Sequence, residues 1–173
     1  MNLDNFEFSR EKQGLTANVV IIDGFSGTGK ALISPLLGYI ERGEQWQMSN
    51  HLDDISALLH IRGVSEKSAE ALIRIEIDRI IYNLSIGRNV NHRKTDVTSP
   101  YYNGLGEMYE RRFRVAEGDE AIERIRKIDP ILPLHIHYKF GYTDILFKAL
   151  KERLKAYILC MRSPFYLIER WYE

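Results

Sequence analysis

Val19-Val20-Ile21-Ile22-Asp23-Gly24-Phe25-Ser26-Gly27-Thr28-Gly29-Lys30-Ala31 is an apolar run that breaks into a glycine-rich turn and then into a helical pattern. Gly24 to Lys30 spells G-x-x-x-x-G-K, with β-branched residues before it and Ala31, Leu32, Ile33, Leu36 and Leu37 after it. That strand–loop–helix context is what a phosphate-binding loop requires. Gly24, Gly27 and Gly29 permit backbone angles that side chains would block, so that successive N–H groups can point at one anion. Lys30 adds a full positive charge, and the helix expected to follow adds its unpaired amides and dipole. The Ser or Thr that usually follows the lysine, and whose hydroxyl ligates Mg²⁺, is Ala31 here.

Working outward, strands alternate with helices. A strand over about 18–23 and the loop lead to a helix expected over Ala31 to Ile40, with Pro35 in or near its first turn and Gly38 and Gly43 weakening its far end. Gln45 to Ser49 is strand-like, and Asn50 and Asp53 have the spacing of a reciprocal helix cap. Asp53 and its neighbour Asp54 are also candidates to orient an acceptor hydroxyl or a metal. Ser65 opens the clearest helix, with Ala69, Leu72, Ile73, Ile77, Ile80, Ile81 and Leu84 on one face. Asp119 is expected to cap a helix that Asp129-Pro130 stops. A strand over Ile131 to His137 should follow, with Pro133 near its start or at a sheet edge because proline has no N–H for the ladder. Thr143 is expected to cap a helix to about Leu154. Ala156 to Met161 reads as a buried strand, and Arg162-Ser163-Pro164 as a helix start.

Near-continuous apolar strands between helices predict a three-layer P-loop α/β fold, with a mostly parallel sheet of about four to five strands and helices on both faces. Its 173 residues suit one domain, 1–173, with a helical and loop insertion around 65–117. Residues 1–17 read as an arm packing Leu3, Phe6 and Phe8 on the domain.

Composition narrows the function classes. Lys plus Arg and Asp plus Glu both number 24, so formal charge is zero and a general nucleic-acid or anionic-membrane binder is disfavoured. The single Cys160 lies in an apolar run, which excludes an internal disulfide framework and reads as a buried thiol in a reducing compartment. With a polar, charged opening and no apolar run near the roughly 18 residues of a membrane span, the chain reads as cytoplasmic. Gly87 to Asp96 is polar and cationic; Arg88, His92, Arg93 and Lys94 can clamp an anionic substrate or the far end of a cofactor, or simply form a solvated loop.

In a parallel sheet, ligands bind beyond the carboxyl ends of the strands. Three such ends carry chemistry: the loop with Lys30, then His137, then Arg162 with Ser163. An anion loop, a residue that moves protons near neutral pH and an arginine make a group-transfer site.

Met161 to Tyr172 resembles the R-x-P…S-x-Y stretch with which sulfotransferases bind the 3′-phosphate of 3′-phosphoadenosine 5′-phosphosulfate, Arg162 matching the arginine. Phe25-Ser26-Gly27-Thr28-Gly29 is similar to that family's x-S-G-T loop for the 5′-phosphosulfate, and His135-Ile136-His137 falls where it carries a base histidine. The resemblance implies that His137 deprotonates an acceptor hydroxyl of a sugar, lipid or small metabolite. Lys30 and the loop amides, from Gly24 to Ala31, would steady the sulfuryl charge, and Arg162 would hold the cofactor. Three departures stand out: Arg170 occupies the serine position, Phe25 occupies the family's loop-lysine position, and the chain ends at Glu173 without the family's later basic segment, so the domain reads as incomplete at its C-terminus.

Two other readings stay open. One is an ATP- and Mg²⁺-dependent small-molecule or nucleotide kinase, which the position of Lys30 favours, with Asp53 or Asp54 as base and 88–94 as a lid. The other is a non-catalytic binding domain.

Overall fold

The computed structural model describes residues 14–15, 18–137 and 143–172, the last three by backbone alone. The aromatics of the leading arm, Phe6 and Phe8, lie outside the described residues, as does Leu3. Four strands are described: β1 (Asn18–Gly24), β2 (Gln47–Met48), β3 (Ile131–His135) and β4 (Leu154–Cys160). They form one parallel sheet in the order β2-β3-β1-β4. The helices are α1 (Lys30–Ile33), α2 (Asn50–His60), α3 (Glu66–Ser85), α4 (Gly106–Arg112), α5 (Asp119–Ile128), α6 (Thr143–Leu150) and α7 (Pro164–Tyr172). This is an α/β chain of the three-layer kind. None of its described helices is long and apolar enough to cross a membrane.

The apolar run that opens the sequence becomes the inner strand β1, paired on both sides, with Val19, Ile21 and Ile22 fully buried. Side chains alternate along a strand. Val19 and Ile21 of β1 therefore share a face with Leu132 and Leu134 of β3. They join one core with Leu52 and Ile55 of α2, Ile73, Ile77 and Ile81 of α3, Tyr109 of α4, Ile125 of α5 and Leu146 of α6. The segment 65–117 is anchored in that core through α3. Pro133 and His135 point to the opposite face, where Ser34 meets His135.

Several local expectations are corrected. Instead of one helix over 31–40, α1 lasts four residues and gives way to a 3-10 turn over Ser34–Tyr39, with Pro35 at its start. Leu32 and Leu36, which mimic a buried stripe, are 78% and 63% exposed. Ser49, not Asn50, precedes α2, and its hydroxyl goes to Glu76 rather than to the helix amides. Gly118, not Asp119, precedes α5. The strand expected to reach His137 ends at His135, although Ile136 still donates to Ile22. The last strand begins two residues early, at Leu154. Thr143 is the first described residue of α6, whose preceding residues lie outside the description.

Pro133 sits in mid-strand, not at its start. Ile131 bonds to Arg42 and Glu44 on the β2 side while Ile136 bonds to β1. That alternation turns the missing donor of Pro133 toward β2, in the gap between the Gly43–Ile131 bridge and the Gln47–Met48 pairing. Upstream of β2, Glu44 accepts a bidentate pair from Arg112 and a bond from the Tyr109 hydroxyl, tying α4 to the approach of the strand.

At the end of β1, Gly24 has φ +143°, and a Cβ there would stand 2.3 Å from the carbonyl oxygen of Cys160 on β4. Gly29 also has positive φ, but a Cβ there meets nothing within 4 Å. Gly24→Ala is therefore expected to lose at least about 2–3 kcal/mol in chemical denaturation, and Gly29→Ala only about 1 kcal/mol. Equal losses would show that the approach of β1 to β4 does not constrain position 24.

Candidate functional site

The carboxyl ends of β1, β3 and β4 open onto one cavity of about 450 Å³, lined by Phe25, Ser26, Gly27, Gly29, Lys30, Ala31, Leu32, His135, His137 and Arg162. The register explains the convergence: Ile22 stands beside His135, and Gly24 beside Cys160. The loop after β1, the turn after β3 and the start of the segment after β4 must then face one another. The structure thus brings together Lys30, His137 and Arg162, the three residues the sequence placed at strand ends.

In the loop, Thr28 closes a turn on Phe25, its hydroxyl donating to the Phe25 carbonyl at 2.7 Å. Gly27 and Gly29 take positive φ, 82° and 100°. With α1 only four residues long, the expected contribution of a helix dipole falls away; what faces the cavity is the loop backbone and Lys30. Lys30 is buried and folds back, its ammonium donating to the Gly24 carbonyl and, at 3.4 Å, to Phe25. Burial lowers its pKa, opposed by the carboxylate of Asp23. Asp23 is itself fully buried and accepts from Tyr157 and from the Gly24 amide. Arg162 reaches the loop from β4, donating to the Gly27 carbonyl at 3.4 Å and lying over the Tyr166 ring.

The two histidines differ. His135 is buried between Trp46, at 5.3 Å ring to ring, and Ser34, at 3.2 Å from its Nδ1. Ser34 spends its only proton on the Lys30 carbonyl. His135 must then be the donor, with a proton on Nδ1. Burial, with Lys30 adding to it, pushes its pKa down to about 4. His137 is more open and presents Nδ1 to Asp53, 3.8 Å from Oδ2. Burial and then Lys30 lower its pKa, and Asp53 opposes them. His137 is therefore neutral at pH 7, able to take a proton, and oriented by a carboxylate from the first turn of α2.

Asp54, Arg88 and Arg93 fall elsewhere. Asp54 is exposed on the outer side of α2, away from the cavity lining. Arg88 pairs with Glu117 at 2.6 Å and lines a different cavity. Arg93 is exposed in a turn, its backbone N–H bonded to Asn91. His92 packs against Tyr101 and Phe113, and Lys94 lies over Tyr101, so 88–94 is a surface turn held by its own contacts. Arg170 is on α7, with its side chain outside the described residues. Ser34, Trp46 and the pairing of Asp53 with His137 were not read from the sequence; the only signals were Ser34 one turn after Lys30 and an aromatic in a short strand. Among the described residues no group of three or more His, Cys, Asp and Glu is placed to hold a metal ion.

Two predictions follow from the histidines. The unfolded chain protonates position 135 near pH 6.5 and the folded chain only near 4. Between those values the unfolded state binds more protons, so stability is full above 6.5 and falls as the pH drops. His135→Asn should remove on the order of 2–3 kcal/mol of that fall, measured by denaturation at pH 7 and pH 4.5; an unchanged difference would clear His135 of the role. In an NMR titration, Asp53→Asn should move the pKa of His137 further down, since it removes the group that raises it. An unchanged or higher value would show that Asp53 does not act on that ring.

No protein-family model matches this chain, and no curated protein or solved structure matches it either, so its functional reading rests on the site itself.

Proposed function

We propose that the chain is a sulfotransferase-like enzyme that moves a sulfuryl group from 3′-phosphoadenosine 5′-phosphosulfate to a hydroxyl of a small-molecule or carbohydrate acceptor. The observation that carries this reading is the meeting of the glycine loop, Lys30, His137 and Arg162 in one cavity. The residues fit such a donor. Two cations held at different points of the loop, Lys30 at the Gly24 and Phe25 carbonyls and Arg162 at the Gly27 carbonyl, suit a molecule with two anionic groups: the loop and Lys30 would hold the 5′-phosphosulfate, and Arg162 the 3′-phosphate. When bound, the donor supplies the sulfuryl group. His137 accepts the hydroxyl proton of the acceptor at the ring nitrogen opposite Asp53, and Lys30 offers positive charge beside the loop.

Ala31 supports this reading over phosphoryl transfer, because the hydroxyl that helps hold Mg²⁺ in many ATP-using loops is missing. A kinase using ATP with Mg²⁺ remains the second reading, favoured by a lysine within the loop itself and by Asp53 beside His137.

Adenosine 3′,5′-bisphosphate without metal, at about 100 times its dissociation constant, should stabilise the chain by roughly 2.7 kcal/mol. For a domain of this size that is a rise of about 5–10 °C in Tm. Arg162→Ala should reduce the shift from this ligand and leave any shift from ATP intact. A shift with ATP and Mg²⁺ alone transfers the assignment to the kinase reading. No shift with either supports a non-catalytic domain, and equal weakening by Arg162→Ala removes its assigned role.

A further inference from the structure

A second cavity, of about 270 Å³, opens beside the first at the carboxyl end of β2, between the first turn of α2 and the last turns of α3. Its floor is apolar, from Ile80 and Leu84. Its walls are polar, and the state of each polar group narrows what it can bind.

The charged groups are already matched. Glu76 is buried and accepts from Ser49 at 2.6 Å, from Arg79 through two bonds of 2.7 Å and from His51 at 3.3 Å. Burial alone would raise its pKa, but the bonds from Arg79 and Ser49 outweigh it and keep the carboxylate ionised. Arg88 is taken by Glu117. The amides are not matched. Asn83 lines the cavity at only 9% exposure, and its side chain has no hydrogen-bond partner among the described residues. That amide is not sealed in the interior: solvent in the cavity reaches it. Asn50 and Asn89, on the same wall, likewise have no side-chain partner among the described residues. Gln47 spends its NH₂ on the carbonyls of Gln45 and Trp46, leaving its oxygen to accept.

We infer that this cavity is a binding site for an uncharged, polyhydroxylated molecule of about monosaccharide size, recognised by the amides of Asn83, Asn50 and Asn89 over the apolar floor of Ile80 and Leu84. Each amide offers donors and an acceptor, the complement of a hydroxyl, which is both at once. A carboxylate or phosphate only accepts and calls for unmatched cationic charge, which this wall does not supply. The volume, just below the roughly 300 Å³ where ligand pockets commonly begin, suits one small ring rather than a chain. The first turn of α2 stands between the two cavities: Asn50 and His51 line this one, while Asp53 meets His137 of the other.

The test is an NMR titration of the nucleotide-free chain with D-glucose, N-acetyl-D-glucosamine and myo-inositol, with sodium acetate and inorganic phosphate as charged probes. At least one polyol should shift the Asn83 side-chain amide with a millimolar Kd, and neither anion should. Asn83→Leu should weaken that binding at least tenfold while keeping Tm, because the amide it removes makes no hydrogen bond among the described residues; an asparagine with a purely structural role would lower it. Asn50→Ala, at an exposed position, should weaken the same binding several-fold. Failure of all three polyols to shift Asn83, a shift by acetate or phosphate instead, or wild-type binding in both variants overturns the site. If polyols bind but no nucleotide raises Tm, the site stands independently of the transfer reading.

Discussion

The register of β1 against its two neighbours is the constraint on which the rest of this structure depends. Because Ile22 lies beside His135 and Gly24 beside Cys160, three chain segments leave the sheet at the same level. A parallel sheet imposes this geometry, since all its carboxyl ends lie on one edge. The close approach of Gly24 to the Cys160 carbonyl fixes the level on one side, and the bond from Ile136 to Ile22 carries it past the end of β3 on the other. Burial enforces the rest: a slip of one residue would turn Val19 and Ile21 out of the core.

Charge at this edge is balanced at short range. Asp23, buried under the loop, offsets part of the cost of burying Lys30. Lys30 in turn keeps both histidines neutral, together with their own burial. One ammonium thus adds to burial in holding down the pKa of two rings, one on β3 and one in the turn after it. That ammonium is held by the carbonyls of Gly24 and Phe25. A ligand entering the loop has to offer better acceptors than two backbone carbonyls, which ionised phosphate or sulfate oxygens do and neutral groups do not.

What was legible in the sequence were the features with a local cause. The β-branched run of β1, the single-faced stripe of α3 and Pro164 at the start of α7 announce themselves within a few residues. The placement of Lys30, His137 and Arg162 at strand ends followed from the alternation of elements alone. What was not legible depended on distant partners. Ser49 reads as the end of a strand but is drawn to Glu76, and Asp53 reads as part of a cap but lies against His137. Asn83 is hidden inside a helix whose stripe reads as core. Leu32 and Leu36 gave a helical period that the chain does not follow, because Pro35 has no N–H to extend α1 and Gly38 adds no side chain to hold a longer one.

The misplaced proline has its own consequence. Pro133 leaves β2 joined to the sheet by two residues and an isolated bridge, while β1 is paired along its length on both sides. The sheet is therefore unevenly laddered: β1 is bonded along both sides, whereas β2 is held by a few ladder bonds, the arrangement in which sub-global opening starts at the sparsely bonded side. The polar cavity sits on the β2 side. The two halves of the carboxyl edge thus differ in backbone pairing as well as in chemistry, a fully laddered half that holds charge and a sparsely laddered half beside it.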